Sequence, residues 1–185
     1  MTTDEKILRA ALDEIAQHSV MFTMDDLTRR LHISKTSLYN AAGSKENLIH
    51  EIISYVINDF DRGEKKIQDA DISSTEKISR YIDRYSELFS MLEHGVYDDL
   101  KINYPAEWQR CEEFRRSKVD VLLNFIDDGI KREVFRPVNL AVMRRLLMFM
   151  SSVLSDSKFL AENNLTYTQA IAALRELMLN GFVKR

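Results

Sequence analysis

The sequence is poor in the residues that interrupt helices or crosslink chains. Its 185 residues include only two prolines and five glycines, which favours long helices over many short strands. A single cysteine, Cys111, excludes an internal disulfide framework and fits a reducing compartment. The four histidines, His18, His32, His50 and His94, have no zinc-like spacing with Cys111, so neither a metal nor a cofactor is expected. No glycine-rich phosphate loop or nucleophile elbow is present. The adjacent pairs Glu112-Glu113 and Asp127-Asp128 mark solvated helix faces rather than catalytic dyads. The expectation is a protein that is not an enzyme.

Long apolar runs are missing as well. The most apolar stretch, Leu146 to Leu154, is too short to cross a bilayer and follows Arg144 and Arg145. The N-terminus has no apolar run followed by a small-residue cleavage site, so a cytoplasmic protein with no membrane partner is expected. Charge of one sign is not in excess either: the formal net charge is -3, where a strongly basic domain would have been the simple mark of a nucleic-acid partner. What remains is 45% hydrophobic and 30% charged, the balance of a folded chain rather than a disordered one.

The apolar residues recur at helical spacing. Ile7, Leu8, Ala11, Leu12 and Ile15 predict a first helix over about residues 3–18. After a break at residues 19–22, Thr23 caps a short second helix with Asp26 as capping-box partner. His32, Ile33 and Ser34 form a tight link, and Ser34 caps a third helix from Lys35 to about Ala41. Ala42 and Gly43 break it, and Ser44 caps a long fourth helix reaching about Ile67. A fifth helix follows the polar residues 71–75 and ends around His94-Gly95, and residues 96–104 read as irregular or as one short helix. Pro105 opens a helix that Gly129 bends or ends. Pro137 introduces another over residues 138–157, and Thr166 or Thr168 introduces the last, ending near Gly181. The fold class expected is all-α.

The second and third helices, three or four residues apart, have the helix-turn-helix arrangement. Leu27, Leu31, Ile33 and Leu38 supply its inward residues, leaving Lys35, Thr36, Ser37, Tyr39 and Asn40 to face outward. Lys and Asn reach base edges, while hydroxyls more often contact the DNA backbone. Lys45, beside the free N–H groups opening the fourth helix, forms a phosphate clamp, and Arg29 and Arg30 add attraction. Against this, residues 1–50 hold six Lys or Arg and seven Asp or Glu, and three short amphipathic helices occur in many proteins that never meet DNA.

The run TMDDLTRRLHISKTSLYNAAGSKENLI resembles the DNA-binding signature of the TetR family of bacterial regulators, over roughly Ile7 to Ile53. The resemblance implies that Lys35 to Ala41 is the recognition helix, that Tyr39 and Lys45 contact phosphates, and that Ser44-Lys45-Glu46 opens a linking helix. It departs from the family pattern at Ser19 and His32, where glycine is usual, and at Thr28, where alanine is usual. It also has Ala42 where an aromatic is usual, which loosens packing between the third and fourth helices unless something bulky fills the gap. FIDDGIKREVFRP, from Phe125 to Pro137, and the closing ALRELMLNGF also resemble family segments. Together they imply a DNA-binding domain at residues 1–47 and a helical effector-binding and dimerisation domain at 48–185.

Leu146, Met150, Val153, Ile171, Leu174, Leu177 and Met178 offer apolar faces for a two-fold, four-helix dimer interface, with an internal core helix as the competing explanation. Tyr81, Tyr85, Phe89, Tyr97, Trp108, Phe125, Met143 and Met148 suit an adaptable apolar cavity, and also suit ordinary core packing. The function expected is a ligand-responsive transcriptional regulator, a repressor that binds a palindromic operator as a homodimer and is released by a small-molecule effector. The alternative is a helical protein-interaction module of the same fold without specific DNA binding.

Overall fold

The computed structural model describes residues 3–90, 96–154 and 156–182, with the side chains of Thr3, Asp4, Phe89, Ser90, Ser152, Ser157 and Phe182 left aside. All regular structure among the described residues is helical, as expected: α1 (Thr3–His18), α2 (Met24–Leu31), α3 (Lys35–Ala42), α4 (Lys45–Asp69), α5 (Ser74–Ser90), α6 (Val96–Asn103), α7 (Pro105–Lys131), α8 (Leu140–Leu154), α9 (Ser157–Glu162) and α10 (Tyr167–Phe182). The expected end of α5 near His94 lies outside the described residues. The chain forms two compact units, and it passes from one to the other within α4 and again within α7.

The first unit comprises residues up to Asp59 together with the segment ending at Glu112. Ile7, Ala10, Ala11 and Ile15 form the buried stripe of α1, spaced so that one helix face turns inward. Leu27 and Leu38, both fully buried, bring α2 and α3 onto it, and Leu48, Ile49, Ile52 and Ile53 add α4. Val96 and Leu100 of α6 complete the core, and α6 packs on the 3-10 turn Ser19–Met21.

Local chemistry sets the helix ends in this unit. The Thr23 backbone N–H donates to Asp26 Oδ2 at 2.7 Å while the Asp26 N–H donates to Thr23 Oγ1 at 3.2 Å, the expected capping box. These bonds from Thr23 hold the Asp26 carboxyl below the usual carboxylate range. Ser34 Oγ accepts from the Ser37 N–H at 3.1 Å to start α3, and Ser44 Oγ accepts from the Asn47 N–H at 3.1 Å to start α4. Between α3 and α4, Gly43 has φ +70 and ψ -120, a region that side-chain-bearing residues avoid. Ser19 and His32, which stand where the resemblance led us to expect glycine, both lie in left-handed backbone at φ 54 and φ 53. Each carries a strain of about 1 kcal/mol that glycine would not. The Ser19 hydroxyl is also buried without a hydrogen-bond partner among the described residues.

The second unit comprises residues 60–90 and those from Glu113 onward. Here α5 packs along α10, and Ile78 and Ile82 on the one and Ala170, Ile171 and Met178 on the other are buried. Phe60 is the hub of an edge-to-face aromatic group, its ring centroid 5.8 Å from Tyr81, 6.2 Å from Tyr85 and 5.3 Å from Phe114. Gly129 lies two residues before the end of α7. An added Cβ there would lie 2.2 Å from the buried Phe135 ring. The Gly129 carbonyl accepts from the Val134 and Phe135 N–H groups at 2.9 and 3.1 Å, so the chain folds back to lay that ring on the helix.

Two boundaries depart from expectation. Helix α8 starts at Leu140 rather than beside Pro137, because Asn139 Oδ1 caps it by accepting from the Val142 N–H at 3.1 Å. The short α9, unforeseen, is capped by Asp156 Oδ1 accepting from the Phe159 N–H at 3.0 Å.

Candidate nucleic-acid interface

Helix α3 is held from one side and open on the other. Leu38 is fully buried and Ala42 nearly so, while Lys35, Thr36, Ser37, Tyr39 and Asn40 are all exposed. Tyr39 shows 49% of its surface, so its ring and hydroxyl are open to solvent. One face of a short, rigidly seated helix thus carries a cation, an amide and three hydroxyls.

The positive charges around α3 have local partners. Lys35 Nζ donates to Asp25 Oδ2 at 2.8 Å, and this bond raises the lysine's affinity for its proton. Arg29 pairs with Asp26 on the exposed face of α2. Arg30 reaches back to α1, donating from Nε to the buried Glu14 carboxylate at 2.6 Å. Lys45, the first residue of α4, is half-buried: its Nζ lies 4.9 Å from the Phe22 ring centroid and 5.9 Å from that of Tyr104. Burial lowers its pKa, partly offset by Glu46 and Asp26. Lys35, Thr36, Ser37, Tyr39 and Asn40 therefore share one helix, whereas Lys45, Arg29 and Arg30 approach from the adjoining ones. Sequence reasoning missed the acidic partners, since Asp25 is ten residues from Lys35 and Glu14 sixteen from Arg30.

No ring and no bulky substitute fills the space beside Ala42. A cleft of about 230 Å³ lies there, bounded by α1, α3 and α4. The Asn47 side-chain amide closes part of it by donating to the Ala42 carbonyl at 2.9 Å.

The second unit holds a smaller cavity of about 50 Å³ between α5, α7, α8 and α10, lined by apolar side chains with Tyr81 and Tyr85 among them. The other aromatic and Met candidates lie elsewhere. Phe125 packs edge-on to Tyr81, Met143 and Met148 are half-buried on α8, and Tyr97 and Trp108 pair edge-to-face at 5.3 Å in the first unit. The Phe89 side chain lies outside the described residues. At the cavity wall Lys118, 8% exposed, donates to Asp61 Oδ1 at 2.5 Å and Glu64 Oε2 at 2.8 Å. The Tyr81 hydroxyl lies 3.1 Å from Glu64 Oε2 and 3.0 Å from the Lys118 carbonyl, donating to one of them at a time. Burial, then Glu64, pushes its pKa far above the usual phenol value.

On α8 and α10 the apolar candidates divide. Leu146 and Leu177 are 50% and 70% exposed, with Val142 and Phe149 also open, and Met150, Val153 and Leu174 are half-buried. Ile171 and Met178 are covered within the unit. No group of metal-ligating side chains occurs among the described residues, and no described helix is long and apolar enough to cross a membrane.

A buried Leu38 anchor, a capped two-helix turn and an outward polar face make a helix-turn-helix arrangement, the kind that DNA-binding proteins use. Residues 7–52 match the family model for bacterial regulatory proteins of the tetR family. The uncharacterized HTH-type transcriptional regulator YvaF of Bacillus subtilis (strain 168) is 20% identical over 179 residues, 96% of this chain and 94% of that protein. The whole-chain fold is similar to that of a TetR-family regulator from Agrobacterium tumefaciens (TM-score 0.77, 16% identity, 98% of this chain and 97% of that one). It is also similar to FadR from Bacillus subtilis, solved in complex with stearoyl-CoA (TM-score 0.69, 15% identity, 96% and 98%). The N-terminal segment thus matches the tetR family model, and the chain shares the fold of solved TetR-family regulators along its length.

Proposed function

We propose that this protein is a ligand-responsive repressor that binds a palindromic operator as a homodimer. The observation that carries the reading is the exposed face of α3, where Lys35, Thr36, Ser37, Tyr39 and Asn40 surround a buried Leu38. Residues 1–47 read DNA, with α3 in the major groove and Tyr39 and Lys45 on phosphates. Arg29 and Arg30 supply attraction beside them. Residues 48–185 hold the effector and the dimer contacts. Protein, DNA and effector meet in the cytoplasm.

The dimer forms through α8 and α10, with Leu146, Met150, Val153, Leu174 and Leu177 on its face and Ile171 and Met178 supporting it from beneath. Two recognition helices in register are what a palindrome requires. The effector is an apolar small molecule taken up at the cavity beside Tyr81 and Tyr85, with the neighbouring aromatic and methionine side chains repacking around it. The stearoyl-CoA held by the FadR relative is a ligand with an apolar chain, which supports that class. Because α4 continues from one unit into the other, an effector that moves it changes the separation of the two heads and lowers operator affinity.

Footprinting the purified protein on DNA from around its own gene, at stated salt, is the test. A protected palindrome is expected. A folded dimer that protects none of it, nor other genomic DNA, would favour the rival reading of a helical interaction module. The acids beside α3, Asp25 and Asp26, are the feature on that side.

A further inference from the structure

The cleft beside Ala42 differs in chemistry from the cavity of the second unit. Ile7 and Leu8 of α1, Ala42 of α3 and Leu48 of α4 give it an apolar wall. Asn47 and Glu51, a turn apart on α4, give it a polar one. One proton of the Asn47 amide is used on the Ala42 carbonyl. Glu51 is exposed and has no hydrogen bond or ion pair among the described residues. No lysine, arginine or histidine lines the cleft, so its one formal charge is a carboxylate without a counter-ion.

Size and charge together select an occupant. Apolar cavities of about 150 Å³ admit a benzene ring, so the cleft of about 230 Å³ has room for one ring with a short tail. A carboxylate at the polar wall favours a cation that donates hydrogen bonds. We propose that this cleft is a binding site for a single-ring aromatic amine, its ring against Ile7, Ala42 and Leu48 and its ammonium on Glu51. Such an occupant packs between α3 and α4 where the protein itself supplies no ring. It braces the recognition helix from behind, independently of any effector in the second unit.

The test is a titration of the full-length, isotope-labelled protein with phenethylamine at millimolar concentration, followed by amide NMR. Saturable shifts clustered around Ala42, Asn47 and Leu48 are expected. Ala42→Phe fills the cleft and abolishes them. Glu51→Gln, at an exposed position that leaves folding intact, weakens binding by about threefold, the scale of one exposed ion pair. Neutral 2-phenylethanol binds the native protein more weakly than the amine and does not distinguish it from Glu51→Gln. Absent or non-saturating shifts, shifts confined to α5 and α10, or shifts that survive in a folded Ala42→Phe variant would overturn the site. Undiminished amine binding to Glu51→Gln would overturn the assignment of the ammonium. No DNA enters the experiment, so its outcome is separate from that of the footprint.

Discussion

In the first unit Lys35 and Arg29 meet their acids in open solvent, whereas in the second Lys118 meets Glu64 under cover. Lys35 and Asp25 are 64% and 56% exposed, and Lys118 and Glu64 are 8% and 12%. An exposed pair is worth about 0–1 kcal/mol and exchanges readily for another counter-ion. A covered pair has already lost its water, so removing one member leaves the other desolvated and alone. Arg115 is covered as well, donating to the Met148 carbonyl at 3.1 Å and to Ser151 Oγ at 2.6 Å. The same residue types are thus available for phosphate in one unit and committed to architecture in the other.

The largest effect should come from Lys118→Met, which leaves Glu64 buried without its cation. A loss of about 3–5 kcal/mol is expected in urea unfolding, partly recovered by adding Glu64→Gln. A loss below about 1 kcal/mol would put Lys118 in the same class as Lys35. Arg30→Ala tests an intermediate case, since the Glu14 side chain it serves is 6% exposed while Arg30 itself is 32% exposed. Its expected cost is about 2 kcal/mol, read by the same denaturation.

Asp25→Asn should leave stability within about 0.5 kcal/mol and tighten DNA binding several-fold, since Lys35 is released and a repelling charge removed. The accompanying signature is a steeper salt dependence, by about 0.9 in log–log slope if one phosphate contact is gained. Unchanged DNA affinity would show that the Asp25 pair does not compete with the duplex. The smallest effect belongs to Arg144→Ala in the second unit, where Arg144 and Asp120 are 49% and 50% exposed. Below about 0.5 kcal/mol is expected. A cost matching that of Arg30→Ala would mean that the unit, and not the exposure, decides.

What the sequence disclosed of this contrast follows the range of each interaction. Caps and turns are settled within four residues, so Thr23-Asp26, Ser34 and the α3 surface were all legible. Gly129 signals the close of α7 in the sequence, but its reason is the ring of Phe135 six residues on, which no local pattern shows. Pairs across elements left no local trace: nothing near Lys35 points to Asp25, and nothing near Arg30 points to Glu14. Lys118 and Arg115 did leave one that passed unread, for they fall on the inward stripe of α7 with Leu122 and Ile126. A cation on an apolar stripe announces a buried polar partner without saying which.

The first unit is not written continuously in the chain. Val96 and Leu100, which seal its core against the turn at Ser19–Met21, come after the stretch that belongs to the second unit. During synthesis, α3 therefore leaves the ribosome well before the residues that finish its own support. Proteins generally fold domain by domain as the chain emerges, but here the head must wait until α6 arrives. A protein rebuilt by grafting this unit onto another body would need to carry residues 96–112 as well as the first 59, or the exposed face of α3 would rest on an open core.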